Sequence, residues 1–284
     1  TNSRTRAMVK IQEGCDQICA YCIVPKVRGR ERSIPTVSML NEITRLTNEG
    51  YQEVVLTGTQ LGTYGFDLPD GSLDTLISRI LNETSIARLR VSSLQAQEIG
   101  ENLLANWADP RLCPHFHLPL QSGSQSVLKR MRRRYSPEQY YRVVEWIRNS
   151  VPGASITADV IVGFPGETEA EFRETIEFCA SLDFAALHVF PYSARPGTSA
   201  AHFGNHVDAQ TKRYRTETLL GLAEEQSRIF NQNQIGKVHR VLWEDQYRLN
   251  GVQAWRGFTE NYIRVYCNTE KDLSNTIRSV CIEK

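Results

Sequence analysis

Short apolar segments alternate with stretches of helical spacing from Ala7 to about Phe190, the order expected of repeated β/α units around a parallel sheet. Strands are predicted at residues 7–12, 53–57, 88–92, 115–120, 155–162 and 185–190. Helix starts are written between them: Ser72 precedes Leu73-Asp74, Ser136-Pro137-Glu138-Gln139 places proline at the first helical position, and Thr168-Glu169-Ala170-Glu171 has the form of a capping box. Periodicity alone leaves two architectures open, an open doubly wound sheet and an incomplete barrel.

Beyond Pro191 the pattern changes. A Ser/Pro/Gly turn region, Tyr192 to Thr198, leads into a long polar helical stretch from about Asp208 to Asn233, read as a connector. The remainder, with Val238 to Trp243 and Tyr262 to Tyr266 as examples, has the period of short strands and suggests a small β-barrel of about 50 residues. The expected divisions are therefore 1–207, 208–234 and 235–284.

Composition narrows the class. In 284 residues, 40% hydrophobic and 23% charged, 33 Lys and Arg stand against 32 Asp and Glu, which excludes disorder as the dominant state and bulk charge as the means of holding nucleic acid. No apolar run approaches the roughly 18 residues of a membrane span, and the first ten residues lack a signal peptide's apolar core. A cytoplasmic protein with no membrane partner is expected. The chain opens on Thr with a strand soon after, which suggests a fragment whose upstream part is missing.

Seven cysteines without a secretion signal argue against a disulfide framework. Cys15, Cys19 and Cys22 form C-x3-C-x2-C just after the first predicted strand. Thiolates are soft ligands for zinc or iron-sulfur clusters, and a structural zinc site would want a fourth nearby Cys or His. Three ligands would leave one iron of a 4Fe-4S cluster open to a substrate or cofactor. A zinc knuckle borrowing a distant ligand is the competing reading.

That spacing, with Tyr21 before the last cysteine, resembles the cluster motif of the radical S-adenosylmethionine superfamily. Gly14-Cys15-Asp16-Gln17, Cys22-Ile23-Val24-Pro25 and Arg28-Gly29-Arg30-Glu31-Arg32-Ser33 resemble the first block of its methylthiotransferase branch. Leu56-Thr57-Gly58-Thr59-Gln60, Tyr64-Gly65, the stretch from His117 to Gly123 and the stretch from Asp159 to Glu167 resemble later blocks. The resemblance implies a partial (β/α)6 TIM-like barrel followed by a small all-β TRAM barrel that binds RNA. It also implies a 4Fe-4S cluster on Cys15, Cys19 and Cys22, the catalytic centre, with S-adenosylmethionine on the open iron. One-electron reduction there would release a 5′-deoxyadenosyl radical, and flavodoxin or ferredoxin is the expected class of reductant.

The implied product is a methylthio group placed on tRNA or on a ribosomal protein. Tyr192 to Thr198 resembles the tRNA-modifying members. Leu61 to Gly65 and His188-Val189-Phe190-Pro191 resemble the subgroup acting on N6-threonylcarbamoyladenosine at position 37 of the anticodon stem-loop. The alternatives are N6-isopentenyladenosine, a ribosomal protein, or a non-catalytic RNA-binding protein with a structural metal.

The resemblance places the Gly58 backbone beside the cofactor's methionine end. Ser92, Ser93, Gln121, Ser122, Val162 and Gly163 lie at C-terminal strand ends, where parallel barrels bind ligands, and Tyr21 joins them as a cofactor contact. Glu167 divides between that role and a helix start. Arg28, Arg30 and Arg32, with Lys26, form a positive stripe beside the cysteines. Arg133 and Arg134 belong to a denser run; both groups are candidates for RNA or carboxylate recognition, with a solvated face as the alternative. In the C-terminal part Arg256, Phe258 and Tyr262 are the RNA candidates. His115 and His117 are assigned to no catalysis. The family's second 4Fe-4S cluster belongs to an additional N-terminal domain that this chain lacks. Cys113, Cys179, Cys267 and Cys281 are read as free thiols, and a monomer is the simplest expectation.

Overall fold

The structure is a computed structural model that describes residues 5–69, 71–249 and 252–283. Residues 1–4, 70, 250, 251 and 284, which fall inside the expected barrel and C-terminal spans, lie outside the described set. In chain order the first part holds β1 (Arg6–Lys10), β2 (Gln12–Glu13), α1 (Val24–Arg28), β3 (Arg32–Ser33), α2 (Thr36–Asn48), β4 (Glu53–Thr57), α3 (Leu73–Glu83), β5 (Arg88–Val91) and α4 (Glu101–Ala105). Then come β6 (His115–His117), α5 (Gln125–Arg130), α6 (Pro137–Ser150), β7 (Ser155–Val162), α7 (Glu169–Ala180), β8 (Ala186–Pro191) and α8 (Ala209–Gln232). Antiparallel strands β9 (Val238–Leu249), β10 (Val252–Phe258), β11 (Arg264–Cys267) and β12 (Thr276–Cys281) end the chain.

Parallel pairs β1–β4–β5 and β6–β7–β8 form two three-stranded sheets. Backbone bonds from Leu89 N to Arg111 O (2.8 Å), from Cys113 N to Leu89 O (2.8 Å) and from Leu94 N to His117 O (3.0 Å) join them across β5 and β6. Each parallel strand therefore neighbours the next in sequence, with no reversal of order. A doubly wound sheet needs such a reversal; sequential order with right-handed crossovers puts every helix on one face and makes a partial barrel.

Alternation along the strands carries this out. Ala7 and Val9, Val54 and Leu56, Leu89 and Val91, Phe116, Ala158 and Val160, and Leu187 turn toward the helices and form the main core. The intervening positions, among them Arg6, Glu53, Arg88, Arg90, His117, Asp159 and His188, face the barrel interior. The predicted helix starts are present as written. Ser72 Oγ accepts from Thr75 N, and Ser136 with Gln139 and Thr168 with Glu171 close capping boxes, each stabilising its helix by about 1 kcal/mol.

The connector helix α8 is also a structural layer. Leu219 and Ala223 enter the main core, Arg215 pairs with Glu167 at 3.1 Å, and Gln226 donates to Cys179 O at 2.9 Å. It completes the sixth β/α repeat. The C-terminal strands make one four-stranded antiparallel sheet, ordered β11-β10-β9-β12, around Val241, Trp243, Trp255 and Leu273.

That sheet closes the N-terminal end of the barrel interior through charge as well as packing. Arg88 and Arg90 both hold the buried Glu53, at 2.5 and 2.9 Å. The same guanidinium groups donate to the carbonyl oxygens of Phe258 (3.2 Å) and Glu260 (3.1 Å). Burial opposes a charge on Glu53, yet Arg90 and Arg88 hold its carboxyl down at about 2.

Candidate functional site

The cysteine loop is held by interlocked backbone and side-chain contacts. Gly14 has φ +79°, and a Cβ there would overlap the Arg30 carbonyl, so glycine alone fits this close approach. Cys15 N donates to Gly29 O at 3.2 Å. Arg30 grips Asp16 with two bonds of 2.7 Å. Glu31 accepts from Asp16 N (3.0 Å) and from Thr63 Oγ1 (2.8 Å), tying this loop to the one after β4. Buried Gln12 does the same: its Nε2 donates to Gly14 O at 3.0 Å, while its Oε1 accepts from Thr59 N and Gln60 N at 3.0 and 2.9 Å.

The opposite wall comes from the segment after β6. Its strand pairing ends at His117, and side chains take over the freed carbonyls. Tyr140 OH donates to Leu118 O (2.8 Å), and Tyr135 OH lies within bonding distance of Pro119 O (3.0 Å) and Leu120 O (2.5 Å). Gln121, at φ 68°, then donates its N–H to Asp159 O at 2.7 Å, which fixes the chain's exit onto β7.

Between these walls lies a cavity of about 200 Å³ at the C-terminal strand ends. Cys15, Cys19 and Cys22 line it with Tyr21, Gln60, Ser93, Gln95, Glu98, Gln121 and Arg133. All three thiols are free of disulfides. Burial pushes the Cys15 thiol up to about 11 and raises those of Cys22 and of the Tyr21 phenol, so a ligand that takes thiolates must displace protons here. Burial likewise lifts Glu98 to about 7, although Gln95 N donates to it at 2.9 Å; Gln60 and Gln95 complete a hydrogen-bonded cluster with it.

Arg133 is the cationic feature of the cavity. Its Nη1 lies 3.6 Å from Cys19 Sγ, and its guanidinium covers the Tyr135 ring at 4.9 Å. Burial works against its charge, but Tyr135, Tyr21 and Cys19 more than compensate and raise its pKa. No ion pair to a carboxylate is found for it among the described residues. Three soft thiols and a half-buried cation around a space of several atomic volumes fit an anionic iron-sulfur cluster. A single zinc ion would be enclosed by four ligands with no such cavity.

Of the residues expected to touch the cofactor, Tyr21, Ser93 and Gln121 line the cavity with the cysteines. Ser122 and Val162 are fully buried; Ser122 Oγ bonds Thr175 Oγ1 on α7 at 3.1 Å, and Val162 belongs to the core. They turn away because successive strand-end residues alternate faces. Gly58 and Ser92 are not among the residues that line the cavity. At Gly58 a Cβ would meet Leu61 Cδ2 at 2.8 Å, so its glycine serves close packing. Gly163, at φ 70°, donates to Glu167, and Glu167 is bound by Arg215, so this carboxylate braces a loop against α8.

Arg28, Arg30, Arg32 and Arg134 are exposed, whereas Arg133 of the same basic run is in the cysteine cavity. Phe258 is buried and stacks on Tyr262 at 5.1 Å; Tyr262 in turn stacks on His115 at 4.8 Å. The Phe258 ring is taken up at the barrel interface, whereas the Tyr262 ring contacts it and remains partly exposed. Arg256 lies over the Tyr247 ring at 5.3 Å and pairs with Asp245 at 2.6 Å. Reading the sequence missed Gln12, Glu31, Gln60, Gln95 and Glu98 as site residues. Only Gln60 and Glu31 stood in quoted motifs, and nothing local marks the others.

The profile of the radical SAM superfamily matches residues 9–179. Threonylcarbamoyladenosine tRNA methylthiotransferase MtaB of Bacillus subtilis is 37% identical over 99% of this chain and 63% of its own length. A tRNA-2-methylthio-N(6)-dimethylallyladenosine synthase of Caldicellulosiruptor saccharolyticus is 38% identical over 93% of this chain and 56% of its own length. The chain thus spans about 60% of these relatives. Among solved structures, coproporphyrinogen III oxidase (HemN) of Escherichia coli, a radical SAM enzyme, superposes with TM-score 0.60 at 14% identity, covering 84% of this chain and 60% of that one, a likeness of fold. With the profile spanning more than half of its residues and the three cysteines converging in one cavity, the chain belongs to the radical SAM superfamily.

Proposed function

We propose that this chain is the radical S-adenosylmethionine part of a tRNA methylthiotransferase that converts N6-threonylcarbamoyladenosine at position 37 to its 2-methylthio derivative. The observation that carries the reading is the cavity in which Cys15, Cys19 and Cys22 meet a half-buried Arg133 at the C-terminal ends of the strands. The relatives' names support the transferred group, and threonylcarbamoyladenosine and dimethylallyladenosine both occur among them; the stretches Leu61 to Gly65 and His188 to Pro191 favour the former.

Cys15, Cys19 and Cys22 would hold a 4Fe-4S cluster, and that cluster, once reduced, supplies the electron that opens a sulfur–carbon bond of S-adenosylmethionine. The residues of this chain bind and orient. Arg133 offers a guanidinium fork, the geometry that pairs with a carboxylate such as the cofactor's. Gln60, Gln95 and Ser93 present hydrogen-bonding groups beside it, and Tyr21 and Leu61 narrow access for water. Gln12 and Glu31 hold the two loops at fixed separation, so the cysteines are ordered before the ligand arrives.

Exposed Arg28, Arg30, Arg32 and Arg134 offer cations for an RNA backbone near the cavity. On the C-terminal sheet, read as the TRAM unit, Tyr247 and Tyr266 sit 5.8 Å apart beside Arg256, the aromatic and cationic pairing that single-stranded RNA uses. Among the described residues no helix is long and apolar enough to cross a membrane. A cytoplasmic monomer supplied by flavodoxin or ferredoxin completes the reading.

The test is anaerobic reconstitution with iron and sulfide, followed by reduction in the presence of S-adenosylmethionine and chromatography for 5′-deoxyadenosine. Product that disappears in Cys19→Ala is expected. Unchanged cleavage in Cys19→Ala, or none from a fully loaded wild type, would overturn the assignment.

A further inference from the structure

Three side chains on neighbouring strands meet in the barrel interior, outside the cysteine cavity. They are His117 on β6, Asp159 on β7 and His188 on β8, each with a donor or acceptor atom within 4.8 Å of the others. Asp159 and His188 are register partners, so both project from one level of the sheet. Their neighbours Ala158, Val160 and Leu187 are buried among the helices, which leaves Asp159 and His188 turned inward.

Hydrogen bonding determines what this group shows to the interior. A carboxylate only accepts, so His117 Nε2–H donates to Asp159 Oδ2 at 3.2 Å, and His117 Nδ1 accepts from the Thr157 hydroxyl at 2.9 Å. One Asp159 oxygen is thereby occupied, and the other remains an acceptor on a partly exposed carboxylate. His188 is exposed beside it, with its ring 5.9 Å from that of His117, and carries an imidazole N–H donor. Acceptor and donor thus stand side by side, facing one space. Two residues along the same face of β8, Phe190 is half exposed and presents a ring to a flat base.

The position matches that of a substrate. Asp159 O holds Gln121 N at 2.7 Å, and Gln121 lines the cysteine cavity. A ligand on the Asp159 and His188 pair then lies one backbone hydrogen bond away from a residue that lines the cavity proposed for S-adenosylmethionine chemistry.

The geometry points to Asp159 and His188 as the pair that reads the N6 substituent of the target adenosine, selecting a ureido group bearing a carboxylate over an apolar one. The inference rests on the reading of this chain as a tRNA-modifying enzyme and deepens it. A ureido group presents an N–H for Asp159 and a carbonyl oxygen for His188 on adjacent atoms. A dimethylallyl substituent keeps the N6–H that Asp159 accepts but offers His188 no carbonyl oxygen and lays an apolar chain against both polar groups, so the ureido form makes a bond that the apolar analogue cannot. The segment from His188 to Pro191, singled out above for its resemblance to the threonylcarbamoyl subgroup, supplies the donor.

The test uses the cluster-loaded chain in buffer free of divalent cations. Anticodon stem-loops carrying adenosine, N6-threonylcarbamoyladenosine or N6-dimethylallyladenosine at position 37 are titrated by fluorescence anisotropy, and the three free nucleosides by calorimetry. Wild type is expected to prefer the threonylcarbamoyl form over the dimethylallyl form by about tenfold or more in both formats. His188→Leu should bring that ratio close to one, and Asp159→Asn should reduce it, while affinity for unmodified RNA stays within about twofold. Retention of the full preference in both variants would overturn the inference alone, whereas a wild-type preference for the dimethylallyl form would overturn it together with the threonylcarbamoyladenosine reading. Nucleoside discrimination without binding of any stem-loop would uphold the pair and overturn the RNA reading instead.

Discussion

Arg133 Nη1 lies 3.6 Å from Cys19 Sγ, so the half-buried guanidinium that lines the cysteine cavity touches a proposed cluster ligand from the far wall. The contact joins the loop after β2 to the turn before α6, 114 residues apart in sequence. Replacing it with Arg133→Gln keeps hydrogen-bonding capacity and removes the charge. Iron and sulfide content should stay at the wild-type level while the dissociation constant for S-adenosylmethionine rises about tenfold, since charge-assisted bonds contribute roughly 1.5–3 kcal/mol. Calorimetry on the reconstituted protein checks this; unchanged affinity would remove Arg133 from the cofactor site.

Gly14→Ala tests the loop's close approach. The added methyl overlaps the Arg30 carbonyl, and the backbone at φ +79° already disfavours a side chain. The loop must shift, so iron retained after reconstitution should fall severalfold while far-ultraviolet circular dichroism is preserved. Full iron loading of the variant would show that the loop tolerates movement.

Glu53 is the shared counter-ion of Arg88 and Arg90 beneath the C-terminal sheet. Glu53→Gln leaves two buried guanidinium groups without a carboxylate, and breaking a buried pair of this kind destabilises by about 3–5 kcal/mol. Urea unfolding reads that loss. The pH dependence follows from the direction of the shift: the folded carboxyl is held at about 2, below the unfolded value of about 4.3. Its contribution is present above the unfolded value and is lost as pH falls toward 2. The stability gap between wild type and Glu53→Gln should therefore narrow between about pH 4.5 and 2.

Glu98 shifts the other way. Burial lifts it to about 7, so its stabilising contribution is present below the unfolded value near 4.3 and is lost as pH rises through about 7. Glu98→Gln keeps the hydrogen-bond acceptor for Gln95 N and cannot ionise. In cluster-free protein, Glu98→Gln should melt at a higher temperature than wild type at pH 8, and the difference should shrink at pH 6. Parallel melting curves for the two proteins across this range would contradict the shift.

Much of the barrel was legible in the chain. Ser136 and Thr168 announced their helices because a cap bonds residues three positions away, and the strand at residues 155–162 was found at its observed length. The cysteine spacing was equally local. At Ser122 and Val162 a one-residue step reverses the face and turns the side chains into packed surroundings, which composition does not show. Phe258 and Tyr262 have the composition of an RNA platform; in the fold the Phe258 ring is buried, while the Tyr262 ring stacks on it and on His115 and stays partly exposed.

Alternation, caps and cysteine spacing act over a few residues, so six β/α repeats and the three-cysteine spacing of the first loop were readable in the sequence, whereas the spatial order of the strands came from their pairing. Three-dimensional packing settled the partners of charged and polar groups. It placed Arg133 with the cysteines rather than with the exposed Arg134 beside it, put Glu53 between Arg88 and Arg90, and brought His117, Asp159 and His188 together from three strands. Buried charges take their partners from whichever segments the closed fold brings within a few ångströms, and separation along the chain carries no record of that distance.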